Sequence, residues 1–424
     1  MLCTAFLVTA CGGSAAQQLP PGEVGGTIGY GYWGNPARSE KAGRVVALFQ
    51  DAHPGTQVEA QVADYFAYVE RLTIRAAGRD MPCVTSLQST FFAPYAMQGA
   101  LLPLDDLVAQ GAIDVSGIPA GVLESGRAGG RQYMVPTGSY VRPVAYNADL
   151  LAELGVPEPE PGWSWDEYVE WLRTIARELP GGTYASELEG ATLMSLLSWV
   201  AGHGETFFSP TGLAFPRELL AEFFQLWLDL EREGVTIPPS MIADQIGSLE
   251  RTPLARGISV VGTRDVPQLT ITESALQGAG LGTSVGWASN PTAAGAESAN
   301  VIGSNGLAIA ADCDNVTTAA AYIDFFANDP AAVRAFESDN GVVPSAAAQE
   351  ALLSDPATAP GVRRSVEILR ELSSAGDIAA MTYPQGVTTL TNELRRLFED
   401  LAFGRTDVDS AVESFFSEAE RALS

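Results

Sequence analysis

Residues 38–62 read RSEKAGRVVALFQDAHPGTQVEAQV, and two periodicities meet in that stretch. Val45, Val46, Leu48 and Phe49 form a helical stripe that ends at His53-Pro54-Gly55, after which Val58, Ala60 and Val62 alternate like a half-buried strand. A strand-like run, Thr27 to Tyr32, comes before it. After it, Phe66, Val69, Leu72 and Ala76 recur at helical spacing and stop at Gly78, and a third short strand starts at Cys83. Strand, helix, strand, helix, strand at this rhythm predicts parallel pairing through right-handed crossovers, hence an α/β layer. Further on, Ser164 with Glu167 spells a capping box ahead of a stripe of Trp165, Tyr168, Trp171, Leu172 and Ile175. Helices are expected near 190–202 and 216–233, a second strand-bearing region over Ile258 to Leu281 and Leu307 to Ala310, and helices from Asn315 to the end.

At 424 residues the chain exceeds the size at which a single core keeps growing, so two lobes with a cleft between them are expected. The 24 basic and 51 acidic residues give a net charge of -27, which repels phosphate backbones and excludes nucleic acid as a partner. The acids otherwise read as a solvated surface. Leu2 to Ala10 is mostly apolar, and Val8-Thr9-Ala10-Cys11 resembles a bacterial lipobox, although the basic front of a secretory signal is missing. Residues 1–11 therefore read as a signal remnant whose Cys11 becomes lipidated, and 12–23 as a flexible tether. No later run reaches the roughly 18 apolar residues of a membrane span, so membrane attachment is expected through Cys11 alone. With Cys3 in the signal, Cys83 and Cys313 are the thiols of the mature body, either bridged or separately buried.

Two motifs that suggest enzymes fail on context. Gly29-Tyr30-Gly31-Tyr32-Trp33-Gly34 spells a dinucleotide fingerprint, but Asn35-Pro36 follows where a helix should open, and Trp33 would crowd the phosphates. Gly282-Thr283-Ser284-Val285-Gly286 matches a serine-hydrolase elbow, yet His53 and His203 both precede it, whereas that fold places its histidine afterwards. Two histidines do not make a His-rich metal site, and Asp312, Asp314 and Asn315 lack the glycine and distal glutamate of a calcium loop, so neither metal nor cofactor is indicated. Asp105, Asp106, Asp166 and Glu167 read as helix starts. A carboxylate pair acting on glycosides stays open, because only spatial separation would diagnose it.

Several segments, in order, resemble the bacterial extracellular solute-binding protein family 1, the maltose-binding-like lipoproteins of ABC importers. They are the aromatic strand Ile28 to Gly34, the helix and His-Pro-Gly turn of Phe49 to Val58, Tyr68 to Gly78, and Gly78-Arg79-Asp80-Met81-Pro82-Cys83-Val84, where cysteine stands in place of the family's aspartate. Ala100 to Asp105, Gln132 to Pro136, Tyr146 to Leu150, Trp165-Asp166-Glu167 and Gly341-Val342-Val343-Pro344 complete the series. The resemblance implies an α/β, periplasmic-binding-protein-like (type II) clamshell, with lobe 1 over 24–141 plus 306–345 and lobe 2 over 146–302 plus 350–424. Hinge crossings fall near 142–146, 303–306 and 342–350. It further implies ligand capture by closure rather than bond chemistry, permease subunits as partners and a monomeric, extracytoplasmic protein. In the family's first lobe the returning strand lies antiparallel beside the third, which would bring Cys83 to Cys313 as a disulfide.

A sugar site needs aromatic faces and planar polar groups. Loops at strand carboxyl ends should supply Trp33, Asp64, Tyr65 and Gln88, the crossing Tyr140 and Arg142, and lobe 2 Trp199, Arg264, Trp287, Ser304, Asn305 and Tyr383. Arg264 has an alternative use as the partner of Asp265, and Trp199 as core. Trp163, Trp165, Trp171 and Trp227 read as structural. The two arginines leave room for an acidic sugar. Polyamines and a secreted carbohydrate-active enzyme are the other readings.

Overall fold

A computed structural model describes residues 22–209, 212–245, 248–379, 381, 383, 384 and 386–423. Cys11, the signal remnant and nearly all of the tether lie outside the described residues. In chain order the main elements begin with β1 (Gly26–Trp33), α1 (Pro36–Ala52), β2 (Thr56–Ala63), α2 (Tyr65–Gly78), β3 (Val84–Gln88), β4 (Met134–Val141) and β5 (Val144–Asn147). They continue with α3 (Trp165–Glu178), β6 (Tyr184–Ser186), α4 (Leu193–Ala201), α5 (Arg217–Arg232), β7 (Ser259–Thr263), α6 (Gln268–Ala279), β8 (Val285–Ala288) and β9 (Ile302–Ile309). The chain ends in helices α7 (Val316–Asn328), α8 (Pro330–Phe336), α9 (Ala346–Ser354), α10 (Pro360–Ser374), α11 (Val387–Ala402) and α12 (Val408–Ala422).

The opening β–α–β–α–β is the one its periodicities call for. Asn35 caps α1 and Asp64 caps α2, each accepting from the backbone amide three residues on. Ala42, Val45 and Phe49 form the buried face of α1. The first sheet runs β2-β1-β3-β9-β4, with β1 parallel to β2 and β3, and β9 antiparallel to β3 and β4. The antiparallel return strand brings Cys313 beside Cys83, and the two are joined by a disulfide with Cα atoms 4.7 Å apart.

Arg142 and Pro143 are all that separates β4 from β5, so the chain passes straight from the first sheet into the second, whose order is β8-β5-β7-β6. The Ser164–Glu167 capping box starts α3, and Tyr168, Leu172 and Ile175 bury its inner face, while Trp165 and Trp171 are only half-buried against the same core. The strand-bearing region expected over Ile258 to Leu281 bears its strand only in its first part. Only β7 and its approach fit it, and Gln268–Ala279 is the helix α6, burying Leu269, Thr272 and Leu276 at helical spacing. One apolar core fills the second lobe around Phe223, Phe224, Trp227 and Phe398. Another extends from Ile28, Tyr30 and Phe49 through α7–α10 to Leu269 and Val285, so α9 and α10 share packing with residues of both sheets.

Candidate functional site between the lobes

The carboxyl ends of strands from both sheets meet at one cleft, where open α/β sheets place their ligand contacts. Two cavities, of about 670 and 660 Å³, make up the cleft, and Tyr65, Arg142 and Thr192 line both. Trp33 ends β1, Gln88 ends β3, Arg142 follows β4, Glu187 follows β6 and Arg264 follows β7.

Lobe 1 offers an aromatic wall. Trp33, Tyr65 and Phe91 meet edge to face, with ring centroids 5.7 to 6.4 Å apart. The Arg38 guanidinium lies 5.5 Å from the Trp33 ring centroid and is fixed by Asp339 at 2.6 Å, which holds the indole in place. The Tyr65 hydroxyl donates to Gln88 Oε1 at 3.2 Å. At the floor, Tyr140 shares a 3.4 Å hydrogen bond with the Ser89 hydroxyl, which in turn accepts from the Ser304 amide. Burial pushes the Tyr140 hydroxyl well above its ordinary range, so it stays a neutral donor and acceptor. Its ring lies flat across Gly303, where an added Cβ would stand 2.3 Å from a ring carbon.

The deep wall is built from paired charges. Arg142 donates twice to Asp265, at 3.1 and 3.2 Å, and Asn290 Nδ2 donates to the Arg142 carbonyl. Burial works against the Arg142 charge, but Asp265 outweighs it and raises the pKa. Arg264 donates to both oxygens of Glu187, at 2.7 and 2.8 Å, and to the Thr252 hydroxyl. The alternative pairing of Arg264 with Asp265 is thus corrected: adjacent in sequence, they face different partners. Glu189 accepts from the Thr263 amide and hydroxyl and from the Ser195 hydroxyl. Burial raises its carboxyl above the usual range and Glu187 adds to the rise, while Ser195, Arg142 and Arg264 oppose it.

Of the expected site residues, the structure brings together Trp33, Tyr65, Gln88, Tyr140, Arg142 and Arg264 on the cleft walls. The other six line neither cavity. Asp64 spends its carboxylate on the α2 cap. Trp199 is buried in the lobe-2 core, its indole donating to the Leu219 carbonyl. Trp287 packs against the core that contains Val285. Ser304 is fully buried against Ser125 behind the floor, and Asn305 donates to the Asn340 carbonyl. Tyr383 is buried in the lobe-2 core, with Met194 beneath its hydroxyl. Sequence reasoning missed Phe91, Glu187, Glu189, Thr192 and Met194. The signal for the two acids was their place directly after a strand, in Ser186-Glu187-Leu188-Glu189. Among the described residues no group of three His, Cys, Asp or Glu side chains is disposed to hold a metal ion.

Two α/β lobes, strand ends converging on a shared cleft and antiparallel return strands define the type II periplasmic-binding-protein fold. Residues 30–236 match the family model described as bacterial extracellular solute-binding protein. Over that span the sequence is similar to the family, and over nearly its whole length the fold is that of the solved family 1 extracellular solute-binding proteins. It is similar to an extracellular solute-binding protein family 1 from Alicyclobacillus acidocaldarius, with 20% identity, 94% and 98% of the two chains covered and a TM-score of 0.72. A periplasmic oligogalacturonide binding protein from Yersinia enterocolitica, in complex with saturated digalacturonic acid, matches at 18% identity, 94% and 98% coverage and a TM-score of 0.77. The GacH receptor of Streptomyces glaucescens, solved unliganded and with acarbose, matches at 19% identity, 95% and 99% coverage and a TM-score of 0.75.

Proposed function

We propose that this protein is the extracytoplasmic capture component of an ABC importer, closing its lobes on a sugar or oligosaccharide and passing it to permease subunits. The observation that carries the proposal is the cleft itself, with an aromatic wall of Trp33, Tyr65 and Phe91 facing an array of planar polar groups at Arg142, Asp265 and Gln88. Aromatic faces match the apolar faces of sugar rings, and paired donors and acceptors match vicinal hydroxyls. The solved relatives of this fold that hold acarbose or digalacturonic acid support the same ligand class. Capture needs no cofactor and no bond chemistry. Closure rotates 24–141 with 306–345 against 146–302 with 350–424, about crossings near 142–146, 303–306 and 342–350. Lipidation of Cys11 tethers the monomer to the outer face of the membrane.

A thermal-shift screen of the purified protein against neutral sugars, amino sugars, uronic acids and polyamines tests the proposal. A ligand present at about 100 times its Kd stabilises the native state by about 2.7 kcal/mol. A shift with polyamines alone, or turnover of a glycoside, would refute it. Globomycin-sensitive processing or mass spectrometry of the exported chain tests the Cys11 anchor, which an unmodified Cys11 thiol would rule out.

A further inference from the structure

Glu187, Glu189 and Asp265 stand against Arg142 and Arg264 around the deep wall of the cleft. Both guanidiniums are already matched within the protein, Arg264 by Glu187 at 2.7 Å and Arg142 by Asp265 at 3.1 Å. Neither has a charge to spare for an anionic ligand. Glu189 is left over: its hydrogen bonds come from the uncharged Thr263 and Ser195, and it makes no ion pair among the described residues. Glu70 and Arg395, which also line the cleft, offset each other, so with Glu189 ionised four carboxylates against three guanidiniums leave one net negative charge. Glu187, Glu189 and Arg264 are 0%, 1% and 3% exposed, so water screens that charge poorly. The same cavity wall holds a second unsatisfied group. Arg264 Nε is a buried donor without a hydrogen-bond partner among the described residues, on a residue that lines the cavity.

Building on sugar capture as proposed above, we infer that the solute is a sugar carrying a protonated amine and that the site rejects acidic sugars. The ammonium compensates the uncancelled carboxylate, and the ring lies along the Trp33–Tyr65 wall. The chain's net charge of -27 acts in the same direction, concentrating cations and repelling uronates at low salt.

Isothermal titration of the full chain at neutral pH and low salt, with a glucosamine disaccharide, its N-acetylated form, digalacturonate and spermidine, tests the inference. The free amine is expected to bind at least about tenfold tighter than the acetamide, with no binding of digalacturonate. Glu189→Gln and Asp265→Asn each remove one negative charge by a different route, and each is expected to abolish the amine preference. Melting curves establish that both variants fold, and either one suffices. Equal binding of amine and acetamide, failure of the glucosamine disaccharide to bind, binding of digalacturonate, or an amine preference that survives in both variants overturns the inference. With neutral or acidic sugars still bound, sugar capture itself stands; binding of spermidine and no sugar removes both.

Discussion

Replacing Glu187 with glutamine probes the most deeply buried ion pair of the site. The substitution keeps the shape of the side chain and an oxygen able to accept from the Leu254 amide, now 3.0 Å away, but removes the charge that faces Arg264. The Arg264 side chain is 4% exposed, so its guanidinium cannot recover water as a substitute partner. Removing one member of such a pair costs about 3–5 kcal/mol, because an uncompensated charge stays buried. A cooperative unit of lobe size, about 150–250 residues, shifts its melting temperature by about 2–4 °C per kcal/mol. Calorimetry should therefore show the lobe-2 transition lowered by about 6–20 °C. The double variant Glu187→Leu, Arg264→Met removes both charges at similar volume and is expected to recover all but about 1–2 kcal/mol. A single variant within about 1 kcal/mol of the parent, or a double variant no more stable than the single, refutes the coupling.

Reduction of the Cys83–Cys313 disulfide, or its replacement by two serines, releases a loop of 230 residues and is expected to destabilise the protein by up to about 5 kcal/mol in the chain-entropy account; urea midpoints with and without reductant measure it, and equal midpoints refute it. Gly303→Ala drives a methyl group into the Tyr140 ring and should cost about 1–3 kcal/mol in a melting curve, whereas Gly303→Ala combined with Tyr140→Ala should lose most of that coupling; strictly additive losses count against the contact. Glu189 holds its proton more tightly in the folded state than at its ordinary 4.5, so its contribution to stability is complete below that value and is lost as pH rises through the folded value. The stability of the parent relative to Glu189→Gln should accordingly fall as pH rises above about 4.5 in urea titrations, and a pH-independent difference argues against the upward shift.

The first sheet was legible because its signals are local. A period of 3.6 gives way to a period of 2 at His53-Pro54-Gly55, and the Ser164–Glu167 box marks a helix start by chemistry alone. Helix α6 hid because Leu-Thr-Ile-Thr carries β-branched residues that favour strands, and packing of Leu269 and Leu276 under the adjoining core overrides that propensity. The site was half legible for a related reason. Aromatics and glutamine at the ends of lobe-1 strands could be placed by topology, whereas Glu-Leu-Glu at 187–189 reads like a solvated edge until the fold buries it. Trp199 and Tyr383 illustrate the converse: their polar tips find partners inside a core, so a large aromatic on an apolar helix or loop says little about which side it faces.

The Cys83–Cys313 bond has a consequence for the chain as a covalent object. All four strands of the second sheet lie between its two ends, so a protease that nicks any loop of that region leaves two fragments that still migrate as one molecule until a reductant is added. It also sets an order of events. The lobe whose first strands lead the chain off the ribosome cannot be stapled until the entire second sheet has followed, because its disulfide waits for Cys313.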